Sequence, residues 1–114
     1  MKRFWVYILA SKPNGVLYIG VTSDLIKRVY QHREKSVEGF TKEYHVSTLV
    51  YFEEYADAES AITREKRLKK WYRSMKVDLI ERHNPLWEDM YPAAVGGMVE
   101  IPAYAGMTGG QGDA

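Results

Sequence analysis

The chain is organised around residues 4–32, FWVYILASKPNGVLYIGVTSDLIKRVYQH. Phe4 to Ala10 and Val16 to Val21 are short runs rich in β-branched and aromatic residues, which suit a pleated surface and predict two strands. Between them, Ser11-Lys12-Pro13-Asn14-Gly15 ends in Asn-Gly, a pair that tolerates the positive φ of a tight turn. An antiparallel hairpin follows. With Asn14-Gly15 as a two-residue loop, Ser11 faces Tyr18, and Tyr7, four residues from Ser11, shares their face. Any even loop length preserves that parity. One face then carries Val6, Ile8, Ala10, Leu17, Ile19 and Val21 as a core face. The other carries Trp5, Tyr7, Leu9, Tyr18 and Gly20, where aromatic bodies pack while both phenols stay available.

Thr22 or Ser23 is placed to cap a helix that begins near Asp24, whose acidic side chain suits the positive helix end. At about 100° per residue, Leu25, Arg28, Val29 and His32 fall on one side of that helix. Arg28 and His32 are therefore stacked one turn apart beside apolar residues. Taken alone, they describe an arginine whose stem runs along the core edge and a satisfied, partly buried histidine.

Taken together, Val6-Tyr7-Ile8, Tyr18-Ile19-Gly20, Arg28 and His32 resemble the signature of the GIY-YIG nuclease family, in which two tyrosine motifs about ten residues apart precede an R-x-x-x-H helix. The second motif is intact. In the first, Val6-Tyr7-Ile8 stands where the family has Gly-Ile-Tyr, so Tyr7 alone is carried over. The fold implied is a small α/β domain, a three-stranded antiparallel sheet flanked by helices.

Working outward, Ser47 to Glu54 predicts the third strand, its Leu49-Val50-Tyr51-Phe52 run pointing to a sheet covered on at least one face. Asp57 to Tyr72 has helical spacing with Asp57 as cap, and Ala61, Ile62, Leu68 and Tyr72 share its inward face with Glu65 near the middle. An inward carboxylate invites two accounts. One is an intrahelical pair with Lys69; the other is a ligand for a hard divalent cation. The resemblance favours the second, because family members place a metal-binding glutamate in the helix after the third strand. A further helix runs from about Ser74 to Arg82 or His83 with Val77 and Ile80 inward, stopped by Asn84-Pro85. The family often has an asparagine at the active-site edge near the end of the domain, and Asn84 is the candidate.

The chain has 114 residues and no cysteine, which makes it one small domain without disulfides or thiolate metal sites. The apolar run after Met1-Lys2-Arg3 is too short to span a membrane, so the expected location is the cytoplasm. All sixteen Lys and Arg fall at or before Arg82, while Glu100 and Asp113 fall later, so residues 1–92 carry +3 against +1 for the whole chain. Arg64, Lys66, Arg67, Lys69, Lys70, Arg73 and Lys76 form a basic stripe, suited to phosphates or simply to solvent. Arg33 to His45 reads as a polar loop with Lys42 and Tyr44 at its far end, where a substrate strand can be met. From about Pro92 the chain turns glycine-rich, with six of nine glycines between Gly96 and Gly112. The division expected is a domain over 1–91 and a flexible tail over 92–114.

The activity implied by the resemblance is metal-dependent DNA endonucleolytic hydrolysis of phosphodiesters, in repair or recombination. Tyr18 is then the candidate general base and Tyr7 its orienting partner. Arg28 holds a phosphate oxygen, and His32 hydrogen-bonds a tyrosine or relays a proton. Glu65 binds one Mg²⁺, with Mn²⁺ as substitute, and Asn84 lies at the site edge. DNA contacts fall to Lys42, Tyr44, Arg64, Lys66, Arg67, Lys69, Lys70 and Arg73. RNA remains open as a substrate, as does a monomeric or homodimeric state. The alternative from another class is a nucleic-acid-binding module with weak or no turnover, which the altered first motif favours. A third course, attack on phosphorus by Tyr18 itself, would leave a covalent protein–DNA adduct.

Overall fold

The hairpin forms with a longer loop than Asn14-Gly15. In the computed structural model, which describes residues 2–34 and 44–96, β1 (Phe4–Ala10) pairs antiparallel with β2 (Leu17–Thr22), Leu9 opposite Tyr18 and Ala10 opposite Leu17. The Ser11 N–H donates to the Val16 carbonyl at 3.0 Å, and its Oγ accepts the Val16 N–H at 3.0 Å. The loop is therefore Lys12 to Gly15, with Asn14 at a φ of 59°. Its residue count is even, so the predicted parity stands and the two faces are divided as the sequence implies. Both faces are covered, however, and Tyr7 is buried rather than available.

Strand β3 (Thr48–Tyr55) adds antiparallel to the other side of β1, giving the order β2-β1-β3. Tyr51 lies opposite Ile8 but Leu49 lies opposite Leu9, so Val50 is an extra residue in the ladder. This β-bulge turns both Val50 and Tyr51 toward the Val6/Ile8 face, while Leu49 and Phe52 take the Tyr7 face. It explains why the apolar run at 49–52 shows no alternation.

A bulged residue loses its ladder partner, and a buried carbonyl without one is costly. Asn84 supplies the replacement: its Nδ2 donates to the Val50 carbonyl at 3.0 Å and to the Glu88 carbonyl at 2.9 Å, and its Oδ1 accepts the Glu88 N–H at 3.0 Å. Asn84→Ala is thus expected to cost about 1–3 kcal/mol, the usual penalty for a buried polar group left unsatisfied, read as a lower urea midpoint.

Helix α1 (Leu25–Arg33) is capped by Asp24, which accepts the Lys27 N–H at 3.1 Å, and lays Leu25, Val29 and His32 on the Tyr7 face. The opposite face receives α2 (Ala58–Lys70), capped by Asp57, through Ala61 and Leu68. The chain becomes extended at Trp71, so α2 stops short of Tyr72. Tyr72, expected inward, is instead the N-cap of α3 (Arg73–His83) and is 80% exposed; Ile62 also lies outward. Leu79 and Ile80 of α3 complete this layer, with Val77 packed beside them.

Residues 84–90 then cross the outer edge of β3, where the Met90 N–H donates to the Leu49 carbonyl at 2.7 Å. A short helix, α4 (Tyr91–Gly96), stands where the sequence predicts the start of the tail, and Met90, Tyr91 and Ala94 pack against the Tyr7 face. Pro92 is compatible with a first helical turn, and a helix of this length has too few residues to show periodicity. Residues 97–114, which hold most of the predicted tail, lie outside the described residues. Among those described, no helix is long and apolar enough to cross a membrane.

Candidate active site

The hairpin pairs Tyr7 with Gly20, and this pairing starts the site. A Cβ on Gly20 would lie 2.5 Å from the Tyr7 hydroxyl oxygen and 2.6 Å from Cζ, so the glycine leaves the space that the phenol fills. Tyr7 is 1% exposed, and its hydroxyl lies 3.2 Å from His32 Nε2 on α1. The Tyr7 and Tyr18 ring centroids are 6.3 Å apart, and those of Tyr18 and His32 are 5.4 Å apart. Gly20→Ala must displace the Tyr7 ring from a packed interior. An overpacking cost of about 1–3 kcal/mol is expected, measured by urea melts.

Burial pushes the Tyr7 phenol up to about 12, although a hydrogen bond from Arg28 opposes the rise; the charges of Tyr18 and Glu65 add to it. Tyr7 therefore stays protonated at neutral pH. Burial, and then the charge of Arg28, lower His32 to about 4, so its imidazole is neutral there. The Tyr7 hydroxyl and His32 Nε2 share one hydrogen bond, whose donor is set by the imidazole tautomer. A neutral, buried histidine makes the fold acid-sensitive. Because its folded pKa lies below the unfolded value near 6.5, His32 contributes its full stabilisation above about pH 6.5 and loses it as pH falls toward 4, at most about 3 kcal/mol. Urea midpoints from pH 7 to pH 4 should drop in the native protein and flatten in His32→Gln.

Tyr18 meets the outside, in a shallow cleft lined by Leu17, Tyr18, Ile19, Lys69 and Lys76. Glu65 lies on the buried side of α2 at 9% exposure, and its Oε2 is 2.5 Å from Lys69 Nζ. The intrahelical pair is thus formed, and the carboxylate is also inward and close enough for its charge to act on the Tyr7 phenol. Tyr7, Tyr18 and His32 are brought into ring contact, and Arg28 from α1 and Glu65 from α2, the helix on the opposite face, come near enough for their charges to act on the Tyr7 phenol. Among the described residues no cluster of three or more His, Cys, Asp or Glu could cage a metal. One sheltered carboxylate whose partner Lys69 lines an open cleft does suit Mg²⁺, which keeps several waters and takes one or two carboxylates plus substrate phosphate.

Asn84 stands apart from this group. It is bound to the bulge on β3, across β1 from the Tyr18 cleft, and its side-chain amide is occupied there. Two expected DNA contacts are also committed elsewhere. Arg64 forks onto the buried Glu53, with Nε 3.0 Å from Oε1 and Nη2 2.8 Å from Oε2, and lies over the Trp71 ring. The same carboxylate accepts hydroxyls from Tyr51 and, at 2.6 Å, from Tyr55. Arg73 donates to the Asn14 and Gly15 carbonyls at 2.8 and 2.7 Å and holds the hairpin loop. Both arginines sit next to groups that need a donor, a distinction invisible in a charge run. Lys66, Arg67, Lys69 and Lys70 are exposed, as is Tyr44, whereas Lys42 lies outside the described residues. Sequence reasoning misses Gln31, whose Oε1 accepts from Arg28 Nη1 at 3.3 Å. Its place three residues after Arg28 is the signal that could have found it.

A family model described as the GIY-YIG catalytic domain matches residues 3–78. UPF0213 protein SH2523 of Staphylococcus haemolyticus is 32% identical over 81 residues, covering 71% of this chain and 98% of that protein. UPF0213 protein CPE1444 of Clostridium perfringens is 37% identical over 76 residues, covering 67% and 81%. Among solved structures, the solution NMR structure of the UPF0213 protein BH0048 from Bacillus halodurans aligns with a TM-score of 0.49 at 25% identity, covering 77% of this chain and 93% of that one.

Proposed function

This chain belongs to the GIY-YIG catalytic-domain family, and from that premise we propose that it is a cytoplasmic, metal-dependent DNA endonuclease acting in repair or recombination. The observation that carries the reading is the gathering of Tyr18, Arg28, His32 and Glu65 around the buried Tyr7, with Tyr18 lining an open cleft.

Hydrolysing a phosphodiester needs an attacking water, a proton acceptor for it, and positive charge against the pentacovalent phosphorus. Tyr18 is the phenol at the cleft, and once its own proton has passed to solvent its oxygen takes the proton from the attacking water. Tyr7, buried and protonated, does something else. With neutral His32 it fixes the wall against which Tyr18 and Arg28 are set. Arg28 offers its planar fork to a non-bridging phosphate oxygen. Glu65 would hold a single Mg²⁺ or Mn²⁺, which supplies charge neutralisation at the phosphate and the departing oxygen when bound. The exposed Lys66, Arg67 and Lys70 take flanking phosphates, each releasing counterions.

The test is cleavage of labelled linear, single-stranded, flap and branched DNA with Mg²⁺, Mn²⁺ or EDTA, comparing the native protein with Glu65→Ala. Metal-dependent cutting that Glu65→Ala abolishes is expected. Cutting that survives this change rules out the mechanism. Salt-sensitive binding with no cutting under any metal replaces the nuclease by a binding module.

A further inference from the structure

Helix α2 takes part in two glutamate–cation pairs of opposite build, one with Glu53 of β3 and one within the helix. In one, Arg64 and Glu53 have side chains only 15% and 10% exposed and are joined by a fork, so the pair is fixed. In the other, Glu65 is as sheltered, at 12%, but its partner Lys69 is 52% exposed on a flexible stem. A sheltered carboxylate needs a neighbouring positive charge, and Lys69 provides it from the solvent side. Its ammonium is a compact point charge without the geometric lock of a guanidinium. The side chain also lines the cleft that holds Tyr18, and Lys76 Nζ lies 3.4 Å from the Lys69 carbonyl, keeping a second positive charge at that spot.

We propose, resting on the nuclease reading, that Lys69 is an exchangeable counter-ion. It neutralises Glu65 in the metal-free protein, yields the carboxylate to an arriving divalent cation, and turns to a phosphate oxygen of the nucleic acid in the cleft. Metal and nucleic acid then favour each other's binding, because each draws Lys69 away from, or releases it to, the other's site.

The experiment measures Mn²⁺ affinity by electron paramagnetic resonance in the full chain, with every protein carrying Tyr18→Phe so that DNA stays intact. Adding Lys69→Met is expected to tighten Mn²⁺ binding about five- to tenfold without DNA, as removal of a half-exposed competing charge should. With a short oligonucleotide bound, the difference should shrink to about twofold or less, Lys69 having already left the carboxylate. Equal affinities without DNA overturn the counter-ion role. A difference that DNA leaves unchanged overturns the transfer to phosphate. Glu65→Gln in the same background separates the two levels. If it weakens Mn²⁺ binding while Lys69→Met does nothing, only this inference falls. If it leaves Mn²⁺ binding unaltered, the metal assignment falls and takes this inference with it.

Discussion

Tyr18→Phe is expected to slow cleavage by about 10²- to 10⁴-fold, the usual contribution of a positioned general base, with little change in melting temperature. The expectation rests on placement. Tyr18 is half-buried at an open cleft, so its hydroxyl can meet a water beside a bound phosphate. Tyr7 cannot do this, being 1% exposed and held protonated. Tyr7→Phe should therefore act mainly through stability, costing about 1–3 kcal/mol as His32 Nε2 loses its partner, with a smaller loss of rate in the protein that remains folded. Single-turnover rates in Mn²⁺, read beside urea melts of both variants, separate the two roles. If Tyr7→Phe loses the rate and keeps its stability while Tyr18→Phe cuts normally, the assignments are reversed.

The largest stability effect is expected at Glu53. Its carboxylate is 7% exposed and gathers Tyr51, Tyr55 and the Arg64 fork. Burial, with the Glu53 charge second, holds the Tyr51 phenol well above its ordinary range, so it remains a hydrogen-bond donor. Glu53→Ala strands that hydroxyl and a sheltered guanidinium together, and breaking such a pair on one side costs about 3–5 kcal/mol. Against a total of about 5–15 kcal/mol for a domain of this kind, much of the margin is gone. Replacing both ends, Glu53→Leu with Arg64→Met, should recover the part of the loss that comes from the unpaired guanidinium, while the Tyr51 hydroxyl still lacks its Glu53 acceptor. Chemical denaturation of the native, single and double variants tests this. A single variant within about 1 kcal/mol of native would mean that the pair is no more than a surface contact.

Local chemistry makes much of this protein legible in advance. Strand parity divides the two faces of the hairpin, because an error of two residues in loop length leaves side chains where they were. Helical spacing places Leu25, Val29, His32 and Glu65 inward, as found. What cannot be read depends on partners distant in the chain. The bulge at Val50 is visible only against β1, and the commitment of Asn84 to it spans the distance from α3 to β3. Arg64 and Arg73 resemble their basic neighbours because a charge run does not show which members face a buried carboxylate or a loop carbonyl. Tyr72 escapes its helical spacing because Trp71 ends α2 by turning extended, with its ring against Arg64.

The contact between Tyr7 and Gly20 has a consequence for substitution. The tyrosine of β1 and the glycine of β2 are separate words in the sequence, yet they are the two halves of one object, a ring and the vacancy it occupies. Shortening Tyr7 would lift the restriction on Gly20, and enlarging Gly20 with Tyr7 in place would push the ring from its seat. The two positions are therefore physically coupled, and a substitution at either alters what a substitution at the other costs.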